Sequence, residues 1–342
     1  NSTDTDRGLI TLNGKSGCKI QDLQIDGNKT EHTASNNYGI YLSSSSNDNT
    51  ITGITCTNNN SGIYLVSSNN NTITDNTCNN NDYGIYLSSS SYNTVTGNTC
   101  NSSIGIYLDA SSNNTVTGNT CNNNSYGGIY LSSSSNNTVT GNTCNNNSAG
   151  GIDLQSFSNN NTITDNTCNN NNFDGIFLYL SNNNTITGNT CNSNKYDGIY
   201  LYSSSDNTIT GNNCNNNDYG IYLSSSSKNN TITGNTCNNN SDGIYLYSSN
   251  INSVTGNTCY NNNTGIRLVS SSKNTVTSNT CIRGTGTPGD YTTGQYTILL
   301  KDSNNNYNLI SSNNCMGRAV VIEGGTGNSA WGNKYDSGGD LP

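Results

Sequence analysis

Along residues 50–281, single apolar residues alternate with polar ones in bursts of three or four residues. In Thr72-Ile73-Thr74 the isoleucine points one way and both threonines the other, and in Gly84-Ile85-Tyr86-Leu87 the Ile and Leu share a face opposite Tyr86. Between them, Asn76-Thr77-Cys78 places Asn and Cys on the inner side of a third short segment. Gly, Asn, Asp and Ser punctuate the bursts. Segments this short cannot pair within their own repeat, so the pattern predicts three strands per repeat, each pairing with its counterpart one repeat along.

The repeat is about 22 residues long and recurs about ten times. Its clearest marker is Cys56, Cys78, Cys100, Cys121, Cys144, Cys168, Cys191, Cys214, Cys237, Cys259 and Cys281, spaced 21 to 24 residues apart. Cys315 continues the series, Ile25 and Tyr335 take the cysteine place at the two ends, and Cys18 stands outside it. The predicted fold is all-β: a parallel β-helix (β-solenoid) of about 14 coils of ~22–23 residues. We expect one domain over 1–342, with atypical coils and an insertion in 1–49, regular repeats in 50–281, and atypical coils with a second insertion in 282–342. At ~4.8 Å per coil the stack would span roughly 65 Å. Asn76, Asn98, Asn119, Asn142, Asn166, Asn189, Asn212, Asn235, Asn257 and Asn279 recur at one bend, where their amides are expected to bond to the coils above and below and to satisfy turn backbone.

Composition alone would suggest disorder, since Leu, Ile, Val and Phe make up only 58 of 342 residues, but the periodicity overrides that inference. Twelve basic against 21 acidic residues give a net charge of −9 and a pI near 4.3. No Lys/Arg stripe exists to neutralise phosphates, which argues against nucleic acid. No segment approaches the roughly 18 apolar residues of a membrane span. A start at Asn1 without methionine is expected of a mature or trimmed product of a secreted precursor, hence an extracellular, cell-surface location. Candidate N-glycosylation sequons fall at Asn59, Asn70, Asn101, Asn113, Asn123, Asn136, Asn146, Asn160, Asn183, Asn229, Asn239 and Asn262, although an Asn-rich chain produces many by chance.

The recurring Asn-Thr-Ile-Thr-Gly-Asn-Thr, Asn-rich turn and Gly-Ile-Tyr-Leu resemble the right-handed parallel β-helix repeats of NosD-like and pectate-lyase-related proteins, abundant in archaeal surface proteins. The resemblance covers nearly the whole chain. It implies the fold and its right hand, while the function stays open among polysaccharide enzymes, glycan binders, a copper-enzyme maturation factor and structural surface proteins. Cysteine where an aliphatic residue is common is a departure from that pattern.

Each candidate chemistry has a plainer structural reading. Stacked cysteines sit near ~4.8 Å apart, above the ~3.5 to 4.5 Å Cβ separation a disulfide prefers, and a straight file cannot surround zinc, so buried thiols acting as small hydrophobes are expected. Bridged pairs, suited to a secreted setting, and soft-metal loading, which the NosD resemblance encourages, are the alternatives. The outward Thr-x-Thr files, as in Thr72/Thr74, suggest ice binding, against ordinary β-propensity on a solvated strand. Tyr41, Tyr64, Tyr86, Tyr107, Tyr130, Tyr200, Tyr222 and Tyr245 form an outward file, a candidate contact face for sugar rings or another subunit, with cross-strand stacking as the alternative.

For catalysis the supply is poor. His32 is the single histidine and lies in an insertion. Asp174 and Asp197 precede glycines of adjacent coils, a step close to the ~5 to 5.5 Å carboxylate spacing of retaining glycosidases, yet Asp before Gly is also turn chemistry and no Lys/Arg cluster surrounds them. Neither catalytic residues nor a cofactor or metal site are therefore assigned, and the chain is expected not to be an enzyme.

The end coils lack caps, so the chain is expected to be a fragment or to meet another subunit there. The uniform middle coils favour a structural extracellular protein that self-assembles into a filament, sheath or layer. A cell-surface glycan-binding or polysaccharide-processing protein is the second reading, and ice binding the third.

Overall fold

The computed structural model describes residues 7–28, 37–284 and 294–335. His32 and the central parts of both insertions lie outside them. Alternation of β-branched and polar residues gives short strands, and every strand pairing is parallel to the equivalent strand of a neighbouring coil. The described residues contain no helix. The fold is an all-β parallel β-solenoid.

The chain divides into two compact units, Asn1–Asn171 and Asn172–Pro342. In the first, the Gly-Ile-Tyr-Leu strands run from Arg7–Asn13 through Tyr83–Ser88 to Ile152–Gln155, in coil order. The Thr-x-Thr strands run from Lys19–Gln21 to Thr162–Thr164. The second unit repeats both sheets, from Ile176–Tyr179 to Val321–Ile322 and from Thr185–Thr187 to Ser329–Trp331. The expected end registers hold: Ile25 pairs with Cys56 and Tyr335 with Cys315.

The third strand is less regular than expected. Thr77–Asn79 pairs with Thr99–Asn101, but beyond it the first unit keeps only single bridges, Thr120 to Thr143 and Thr143 to Thr167.

Inside each unit Ile, Val, Leu and Cys fill a core at essentially zero exposure. The corners are walled by polar ladders, more of them than the one expected. The Asn76 backbone N–H and Nδ2 both donate to Asn98 Oδ1, at 3.0 and 2.9 Å, and Nδ2 also reaches Ile51 O at 3.1 Å. A second ladder runs through Asn71 and Asn93, a third through Asn59 and Asn81, and a serine ladder through Ser68 and Ser90. Each supplies its corner with backbone hydrogen bonds that a sheet would otherwise provide, which offsets the cost of burying these polar side chains.

Candidate functional site

On the outward face of the Gly-Ile-Tyr-Leu sheet, register fixes the aromatic file. In the first unit Tyr41, Tyr64, Tyr86 and Tyr107 stack with ring centroids 5.5, 4.6 and 4.8 Å apart, and Tyr130 turns edge-on to Tyr107. Asp153 takes the next place. In the second unit Phe177, Tyr200, Tyr222 and Tyr245 stack at 5.1, 4.8 and 5.0 Å. The rings cover one another's faces, so the file offers edges and hydroxyls rather than open ring faces. Burial raises the phenols of Tyr86, Tyr107, Tyr130, Tyr200, Tyr222 and Tyr245, that of Tyr245 to about 12.

Open aromatic surface lies in two flanking files that periodicity reasoning missed. In the second unit Phe173 and Tyr196 pack at 5.3 Å on one side of the central file, while Tyr179 and Tyr202 pack at 5.5 Å on the other, with Tyr247 further along. These five are 37% to 52% exposed. The first unit has Ser88, Asp109, Ser132 and Gln155 where the second has Tyr179, Tyr202, Ser224 and Tyr247. The signal was in the sequence: Tyr follows Leu in Leu178-Tyr179, Leu201-Tyr202 and Leu246-Tyr247, but not in the first unit.

Asp174 and Asp197 come together, though not as an open carboxylate pair. The Asp197 backbone N–H donates to Asp174 Oδ1 at 3.0 Å, and the Tyr219 backbone N–H bonds the Asp197 carboxyl in the same way. Both are nearly buried, at 8% and 5% exposure. Burial raises Asp174 to about 6; burial, then the neighbouring charges of Asp174 and Asp218, raises Asp197 well above the ordinary carboxylate range. Each carboxyl therefore binds its proton more tightly folded than unfolded. This stabilisation is full below about pH 4 and is lost as pH rises through about 6. The double variant Asp174→Asn/Asp197→Asn keeps the acceptor oxygens without the charge. Thermal and denaturant unfolding should show it equal to the parent at pH 4 and more stable at pH 7.5, by up to roughly 3 kcal/mol.

Where the tyrosine file ends, a cleft of about 300 Å³ opens in the second unit, lined among others by Tyr219, Asp242, Arg267, Tyr296 and Lys301. Arg267 takes the place after Tyr245 in the outward file, with its guanidinium 5.0 Å from that ring and Nη1 3.2 Å from Asp242 Oδ2. Arg318 lies 3.7 Å over the Tyr296 ring. Sequence did not disclose this pair of cations beside Asp242, because the insertion at 282–296 hides that Tyr296–Leu300 pairs with Thr264–Val269 and so brings Lys301 beside Arg267.

The remaining expected sites sort by burial. All twelve cysteines of the series are buried free thiols, while Cys18 is partly exposed. Ten sequon asparagines are exposed, but Asn59 and Asn262 are corrected here: they are buried rungs of the third ladder, Asn59 bonded to Asn81 and Asn262 to Asn240 and Cys237 O, and cannot carry a glycan in the folded chain. Asn70, Asn113, Asn136, Asn160, Asn183 and Asn229 all hold a left-handed backbone, φ 56° to 59°, a conformation that asparagine tolerates.

The family model described as "Periplasmic copper-binding protein (NosD)" matches residues 1–150, 101–242 and 224–338. The chain belongs to the NosD family. Copper would need ligands, and in this NosD-family chain the described residues contain no group of three or more His, Cys, Asp or Glu placed to hold a metal ion. The thiols of the series are sealed in the core, where the cost of burying a charge disfavours the thiolate a soft metal requires. The described residues do not fit the copper of the family's description.

Among solved structures, the A-module of the Azotobacter vinelandii mannuronan C-5 epimerase AlgE6 is similar, at 13% identity and TM-score 0.58, covering 92% of this chain and 91% of that one. A tailspike protein of E. coli bacteriophage HK620, solved in complex with a pentasaccharide, gives 13% identity and TM-score 0.65 over 94% and 69%. The Dettilon tailspike gives 17% and 0.53 over 90% and 58%. No curated protein matches the chain. The likeness to the epimerase modules corrects the expectation that the chain is not an enzyme: that expectation rested on the scarcity of catalytic side chains, and this same fold is the body of a mannuronan C-5 epimerase module. No described helix is long and apolar enough to cross a membrane.

Proposed function

We propose that this NosD-family chain is a glycan-binding or polysaccharide-processing β-solenoid acting outside the cytoplasm, and that it holds a polysaccharide along the aromatic face of its second unit. The observation that carries this reading is the open aromatic surface of Phe173, Tyr196, Tyr179, Tyr202 and Tyr247 beside the packed file Phe177, Tyr200, Tyr222 and Tyr245. Sugar rings present C–H faces that pack on exposed aromatic faces, while hydroxyls along the file accept and donate hydrogen bonds. A row of equivalent coils, ~4.8 Å apart, suits an extended repeating ligand better than a compact one. The mannuronan epimerase module and the pentasaccharide-bound tailspike support this reading over a self-assembling filament.

Binding to an array of neutral and acidic polysaccharides tests it. Tyr202→Ala and Tyr247→Ala, both at exposed rings, should each weaken the bound glycan roughly tenfold with an unchanged circular dichroism spectrum. Tyr86→Ala, in the first unit, should leave binding unchanged. An array on which no polysaccharide binds would remove the reading.

A further inference from the structure

From the cleft at the end of the aromatic face we infer that the glycan is acidic, and that Arg267 and Lys301 hold the carboxylate of a uronate residue. This rests on the glycan-binding reading and names the chemical class of its ligand. The first ground is charge placement. The chain carries only 12 basic residues against 21 acidic ones, yet two of those cations line one cleft. Asp242 is the single carboxyl in the lining; it is buried, paired with Arg267 and also bonded by Thr264. Lys301 is exposed and has no ion-pair partner among the described residues.

The second ground is the unfinished hydrogen bonding of Arg267. Its Nη1 donates to Asp242, but Nε is a buried donor without an acceptor among the described residues. An unmet buried donor is costly, and more so on a charged group. The guanidinium lines the cleft and its side chain is 26% exposed, so beyond the Nη1 bond to Asp242 it still offers N–H donors to the oxygens of a carboxylate. Tyr245 packs against the guanidinium and fixes its plane.

The third ground is continuity. Arg267 stands in the outward file directly after Tyr245, and Tyr247 lies one residue before the next turn of that strand. A polysaccharide lying on Tyr202 and Tyr247 therefore reaches the cleft without leaving the sheet. At about 300 Å³ the cleft is at the small end of ligand sites, a size for one sugar residue rather than an oligosaccharide.

The test compares a polyuronate with the same polymer after carboxyl reduction, which converts each uronate to its neutral sugar, and with a sulfated polysaccharide. The full chain is expected to bind the polyuronate at least tenfold more tightly than the reduced polymer. Lys301→Gln, at an exposed position, and Arg267→Gln should each shrink that preference, and the double variant should abolish it while residual binding to the neutral polymer persists. Unfolding curves for each variant report whether the coil survives the loss of the Arg267–Asp242 pair, and Lys301→Gln alone stands if Arg267→Gln does not fold. Equal binding of polyuronate and reduced polymer, a preference for the sulfated polymer alone, or a preference untouched by Lys301→Gln would overturn the inference while leaving the aromatic face in place. Absence of binding to every polymer would instead remove the reading on which it rests.

Discussion

Replacing Asn212 with leucine is expected to unfold the coils around it. Asn212 Nδ2 donates to Ile186 O at 2.9 Å and to Asn235 Oδ1 at 3.0 Å, and its Oδ1 accepts from both the backbone N–H and Nδ2 of Asn189, at 2.9 and 3.0 Å. Leucine makes none of these, leaving a backbone N–H and a carbonyl stranded where water cannot reach. At about 1–3 kcal/mol for each stranded group, with further loss at the two neighbouring amides, the cost is on the order of 5 kcal/mol. Because a solenoid is held by nearest neighbours, the damage should spread over adjacent coils rather than stay at one side chain. Thermal unfolding followed by circular dichroism, with hydrogen exchange over residues 186–240, measures it. Thr208→Ala, at an exposed residue of the same coil, is the comparison and should cost under about 1 kcal/mol. Equal melting of Asn212→Leu and Thr208→Ala would show that the ladder contributes little.

The second large effect is expected from a single methyl group. A Cβ added at Gly198 would lie 2.5 Å from Gly220 O and 2.7 Å from Cys214 Cβ. Gly175 and Gly220 meet the same two obstacles, a glycine carbonyl and the cysteine of the next coil. The glycine file and the cysteine file are thus two halves of one fit. Here the absence of a side chain matters for space, not for backbone freedom. Gly198→Ala should cost about 3 kcal/mol or more, since the nearest obstacle is backbone and cannot rotate away. Trimming the cysteine in Gly198→Ala/Cys214→Gly removes only the second contact, so the double variant should recover little. Urea unfolding of parent, single and double variants decides it; full recovery in the double variant would place the clash on the thiol side chain alone.

Much of this architecture can be read from the chain before any coordinates. Alternation in Thr72–Thr74 and Gly84–Leu87 sets which residues face inward, and the cysteine period sets the register, even at Ile25 and Tyr335. The ladders were only partly legible. Asn76 lies between two strands and was readable as a rung, whereas Asn71, Asn81 and Ser90 sit in polar runs where a buried amide and a solvated turn residue have the same composition. The same ambiguity made Asn59 and Asn262 look like glycan acceptors. The tyrosine file was legible as a row, but not that the rings would close on each other and pass the open surface to Tyr179, Tyr202 and Tyr247. The cleft was the least legible feature, because Arg267 and Lys301 are neighbours only once the longer segment between their coils has been looped out.

The equivalence of the rungs also bears on how such a chain can change over generations. If residues 76–97 were excised, Asp75 would join Asn98, and Ile54, which now donates to Asn76 Oδ1, would meet the identical group of Asn98. Val95 and Thr96 would be lost with their whole coil, and Ile73 would face Val116 as it now faces Val95. Gain or loss of one whole repeat therefore adds or removes a coil without changing the type of bond between neighbours. Length is the trait this molecule can vary most freely, and with it the number of sugar residues the aromatic face could span.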